Sequence, residues 1–196
     1  MMNNIAKRLT IWAIAIAFLI SIPLIIMQFT DEVQWDVFDF ILMGVVLFGV
    51  GLAYELIAMR SKKTIYRFAF GIGLLGAFLL FWVNGAVGII GNEGQQANLL
   101  YGAVYIVGLI GSFLSRFKSK GMARTLFVAA LVQMLVPLVA IFIWSPATIS
   151  WSPGVLAVFV LNGFFAMLFL ISALLFNHAS VSELKNDSFE TANAGI

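Results

Sequence analysis

The chain has 196 residues, of which 62% are hydrophobic and 10% charged, with a net charge of +2, one histidine and no cysteine. Soluble domains carry about 25% charged residues, so a water-soluble core is excluded, as are disulfides and thiolate metal centres. So small a positive excess does not make a nucleic-acid-binding face, and nucleic acid is not an expected partner.

The first apolar segment, Leu9–Met27, follows Lys7 and Arg8. It has the charged start of a secretory signal, but its apolar run is too long and it lacks a small-x-small cleavage site, so it is read as a retained helix. Five further segments follow: Trp35–Met59, Phe68–Gly91, Asn98–Phe117, Met122–Trp144 and Pro153–Phe176. Each approaches the roughly 20 residues that cross ~30 Å of hydrocarbon at 1.5 Å per residue. Backbone groups in lipid must bond internally, which makes each segment a helix and sends the connections to the two surfaces. The expected fold is all-α, an integral membrane bundle of six transmembrane helices in one domain, residues 1–176. The polar segment 177–196 is expected to be a flexible cytoplasmic tail.

Positive residues in short loops stay on the cytoplasmic side. Lys7 and Arg8 precede the first segment. Arg60, Lys62, Lys63 and Arg67 lie between the second and third, Arg116, Lys118, Lys120 and Arg124 near the fourth-to-fifth turn, and Lys185 in the tail. All eleven therefore fall on one side. The other side carries Asp31, Glu32, Asp36 and Glu93. Both termini are thus expected in the cytoplasm, and Trp35, Trp144 and Trp151 at the outer ends fit an aromatic belt.

Several chemistries lack their side chains. His178, the sole histidine, follows the last segment, which removes bis-histidine haem, histidine-based zinc and a serine-histidine protease. No lysine lies inside a segment to form a Schiff base, and no glycine-rich phosphate loop occurs. A non-enzymatic protein without cofactor or metal is expected.

Polar side chains within hydrocarbon cost a few kcal/mol unless partnered, so each is a candidate site. Asp36 and Asp39 share a helix face, with Asp39 about 4.5 Å deeper. They read either as a helix-capping turn or as the mouth of a cation-attracting vestibule. Trp82, Asn84, Glu93, Asn98, Tyr101 and Tyr105 fall in the outer half of the membrane. They could form one cluster with Asp39, or simply knit a short turn by hydrogen bonds. Gln133 and Asn162 both fall near the midplane and are expected to bond each other across consecutive helices. Pro137 and Pro23 are expected to free a backbone carbonyl or kink their helices. Glu55 lies near the basic Arg60–Arg67 loop, where an interfacial ion pair is expected; facing inward, it would instead suit a proton-coupled step.

Three stretches carry a family resemblance: FTDEVQWDVFDF (Phe29–Phe40) continuing to Glu55, WVNGAVGIIGNEGQQANLLY (Trp82–Tyr101) and RFKSKGMARTLF (Arg116–Phe127). In these the chain resembles an uncharacterised family of small polytopic bacterial inner-membrane proteins. The resemblance implies a bacterial membrane bundle of four to six helices and brings no activity or cofactor. The function expected is that of an accessory or organising subunit, with membrane lipids and either another membrane protein or its own copies as partners. The alternative is a small transporter or channel, with Asp39, Asn84 and Glu93 in an outer vestibule and Glu55 at an inner gate.

Overall fold

The computed structural model describes residues 2–30, 34–61 and 63–194, with side chains at 7–30, 34–59, 61 and 63–185. Asp31, Glu32 and Lys62, used above for orientation, lie outside the described residues. The regular structure of the described residues is all helical, and six of the helices are long and apolar enough to cross a membrane. Large apolar side chains lie on the outside, Phe142 being 87% and Phe38 67% exposed. Such a surface suits hydrocarbon and not water.

The chain divides into two compact units, 1–60 and 61–196. In the first, α1 (Met2–Ile26) packs against α2 (Val37–Arg60). Small residues bring the two helices together. A Cβ at Gly51 would lie 2.9 Å from Trp12 Cε3, and one at Gly44 would touch Ile20 at 3.5 Å. Contacts that advance along α2 while retreating along α1 make the pair antiparallel. Trp12 also meets Tyr54 edge-on, with ring centres 6.4 Å apart.

The second unit holds α3 (Thr64–Ala86), a 3-10 turn (Gln96–Tyr101), α4 (Gly102–Leu114), α5 (Ser119–Ile143) and α6 (Val155–Ala194). Helix α6 packs against both α3 and α5, and α5 against α4. The Tyr105 hydroxyl joins α4 to α3 by donating to the Ala77 carbonyl at 3.1 Å. On α5 the buried residues Met122, Leu126, Ala129, Gln133, Val136 and Ala140 recur alternately four and three apart. On α6 Val158, Asn162, Phe165, Phe169, Ser172, Phe176 and Ala179 do the same. This is the spacing of two heptad seams facing each other. Against α3 small residues allow a close approach. A Cβ at Gly73 would lie 2.9 Å from Ser172 Oγ, and one at Gly76 3.2 Å from Leu168 Cβ. The Ser172 hydroxyl donates to the Ala69 carbonyl across that contact.

Several boundaries differ from the sequence expectation. Helix α3 begins at Thr64 and stops at Ala86, not Gly91. Gly88 at φ +70° and Gly91 at φ +77° turn the chain out of the helix, in a conformation that costs other residues roughly 1–2 kcal/mol. The fourth crossing starts as a 3-10 turn and becomes α-helical only at Gly102. Helix α6 does not end at Phe176 but continues to Ala194, so the segment expected as a flexible tail is helical through that residue. No glycine or proline interrupts residues 164–194, and the buried seam runs on through Ala179. Beyond it Glu183 Oε1 accepts from the Ser119 hydroxyl at 2.9 Å and lies 3.5 Å from Lys63 Nζ.

Candidate functional site

In the first unit, the Asp36 and Asp39 side chains serve the start of α2. The Asp39 amide donates to Asp36 Oδ1 at 2.9 Å, and the Asp36 amide donates to Asp39 Oδ2 at 3.0 Å. This is a reciprocal capping box, with Asp36 as the cap and Asp39 in the first turn. Both carboxylates also face the positive end of the helix dipole.

Glu55, one turn before the end of α2, is buried at 8% exposure. The sequence pointed to the loop after α2 for its partner, where the Arg60 side chain and Lys62 lie outside the described residues; the partner described is Arg8 on α1. Arg8 Nη2 lies 2.9 Å from Glu55 Oε2. The Trp12 indole donates to Oε1 at 3.0 Å. Residues 8 and 12 lie four apart and so share one face of α1. Gly51, four residues before Glu55 on α2, makes the hollow that lets the indole in. Each carboxylate oxygen is thereby engaged. Half the Arg8 side chain is exposed, so the pair contributes no more than about 1 kcal/mol.

In the second unit the outer-half residues organise the chain between α3 and α4. Asn98 is buried, and its side chain makes all four hydrogen bonds an amide allows. Its Oδ1 accepts from the amides of Ile89 at 3.2 Å and Ile90 at 2.9 Å. Its Nδ2 donates to the carbonyls of Ile90 at 3.2 Å and Asn92 at 2.7 Å. One side chain thus satisfies backbone groups that a non-helical, buried turn would otherwise leave unpaired. A Cβ at Gly88 would strike the Asn92 carbonyl carbon at 2.3 Å. The turn is also tied to the α5–α6 connection, where the Gly91 amide donates to the Ser152 carbonyl at 3.2 Å. Asn84 Nδ2 donates to the Asn98 carbonyl at 3.4 Å, while its buried Oδ1 has no partner among the described residues. Glu93 is exposed at the tip of the turn, and Trp82 packs edge-on against Phe78 with ring centres 5.5 Å apart. Asn84, Asn98 and the Glu93 turn therefore come together, while Asp39 belongs to the other unit.

Deeper in the second unit, Gln133 Nε2 donates to Asn162 Oδ1 at 2.8 Å, the interhelical bond expected from the sequence. Tyr101 joins them, its hydroxyl accepting from Asn162 Nδ2 at 2.9 Å. Asn162 Nδ2 also donates to the Val158 carbonyl at 2.8 Å. That carbonyl can only accept, so it fixes which end of the Asn162 amide faces it, and hence which end of Gln133 faces Asn162. Gln133 Oε1 is left without a donor among the described residues. All three side chains are fully buried. An unpaired amide oxygen there costs about 1–3 kcal/mol.

Among the described residues, no three histidine, aspartate or glutamate side chains converge as a metal site would need. Comparison of the chain with protein-family models, with curated proteins and with solved structures gives no match.

Proposed function

We propose that this is a non-enzymatic inner-membrane protein of bacteria, acting as an accessory or organising subunit through its helix faces, with both termini in the cytoplasm. Six membrane-length helices support the membrane assignment. The one-sided distribution of the eleven basic residues supports the orientation. The three stretches that resemble a bacterial inner-membrane family support the compartment.

One observation carries the subunit reading: most polar groups that could line a path are bonded to neighbours within their own unit. Asp36 and Asp39 cap a helix, Glu55 holds Arg8 and Trp12, Asn98 holds a turn, and Asn162 holds Gln133 and Tyr101. A conduit needs such groups turned toward a continuous hydrated lining. The transport reading retains two supports, the unpaired oxygens Asn84 Oδ1 and Gln133 Oε1.

Reconstituted vesicles separate the two. As a subunit, the protein adds no potassium or proton leak beyond that of protein-free vesicles, and Asn84→Leu or Glu55→Gln changes folded yield only. A leak that either variant abolishes at unchanged folded yield would replace the subunit with a transporter.

A further inference from the structure

We propose that the centre of the second unit holds one bound water molecule, between Gln133 and Tyr101. Four observations bear on the same group of side chains. Gln133 Oε1 is an acceptor without a donor among the described residues, in a side chain that is fully buried. Its orientation is forced, because the Val158 carbonyl fixes Asn162 and Asn162 fixes Gln133. Tyr101 accepts from Asn162, and its own hydroxyl hydrogen is committed to no described acceptor.

The fourth lies in the backbone. Pro137 stands four residues after Gln133 inside α5, so the Gln133 carbonyl lacks the N–H that would normally close its helical bond. Both residues lie on the buried face.

These groups match what a buried water uses. Such a molecule makes about three hydrogen bonds to polar groups that would otherwise stay unpaired. Here it donates to Gln133 Oε1 and to the Gln133 carbonyl, and accepts from the Tyr101 hydroxyl. Gln133 and Tyr101 bond opposite ends of one amide, that of Asn162, which brings the free acceptor and the free donor into one neighbourhood. The surroundings isolate it. Val158, Phe165 and Val136 on the same seams are all buried and offer no further polar side chain. The site therefore takes a single molecule and not a file of them, and it is independent of whether the protein is a subunit or a transporter.

Solid-state NMR of the full chain in lipid bilayers tests this, reading how fast magnetisation passes from water to each buried side chain. Gln133, assigned by comparison with Gln133→Glu, should receive it several-fold faster than the Phe165 ring, three residues from Asn162. In Tyr101→Phe, which keeps the ring and loses the hydroxyl, the transfer to Gln133 should fall. Build-up at Gln133 as slow as at Phe165 would overturn the proposal. So would a transfer that Tyr101→Phe leaves unchanged, since the water would then not bridge the two. Equally rapid build-up at Gln133, Phe165 and Phe169 would overturn it the other way, as a hydrated path in place of one bound molecule.

Discussion

Single amide side chains decide the conformation of long stretches of this chain. Asn98 is the clearest case, since its four bonds close a backbone segment that has no regular structure to satisfy it. Removing the amide leaves two N–H groups and two carbonyls without that partner, each buried unsatisfied group costing about 1–3 kcal/mol. Partial compensation by water at the turn reduces the sum, and Asn98→Ala should lower stability by about 3 kcal/mol. Thermal unfolding in detergent reads this directly, and a loss below ~0.5 kcal/mol would mean that the turn holds itself. The sequence named Asn98 as one polar residue among six; its spacing from Ile89 and Ile90 gave no sign that it gathers them. Gln133 with Asn162 was legible because two amides at equal depth in consecutive helices have few other partners. The Arg8–Glu55 pair was not, because nearness in sequence pointed to Arg60 and Lys63, and only the antiparallel pairing of α1 with α2 brings Arg8 to Glu55.

At the level of helices, hydropathy located all six crossings because lipid demands a long unbroken apolar run whatever the tertiary contacts. It placed their ends less well. The end of α3 is set by two glycines in left-handed geometry, within a run as apolar as the helix itself, and by the Asn98 latch, which acts on that run from outside it. The end of α6 went unread for the opposite reason. The segment after Phe176 is polar, and the residues it buries, Ala179 and Ser180, are small ones that hydropathy weighs little. Helix continuation has a consequence that a dangling tail lacks. A chain cut after Phe176 loses the buried Ala179 and the bond from Ser119 to Glu183, together worth about 1–2 kcal/mol. Its unfolding midpoint should drop accordingly; an unchanged midpoint would return the segment to the role of a passive extension.

For the whole molecule, orientation and association are the properties that matter. The chain has no cysteine, so introduced thiols report topology without background. Lys120→Cys should be labelled in intact cells only by membrane-permeant reagents, while Ala147→Cys and Gly94→Cys should react with impermeant ones. The reverse pattern would invert the orientation drawn from the basic residues. The membrane-length parts of the helices expose large apolar side chains, and the polar groups are mostly bonded inward within each unit, which leaves helix faces as the means of contact with other proteins. The most direct test is therefore the mass and composition of the particle extracted from native membranes with its surrounding lipid. The organising role predicts a fixed stoichiometry, either with a second membrane protein or with further copies of this chain. A single chain carrying only lipid would contradict it.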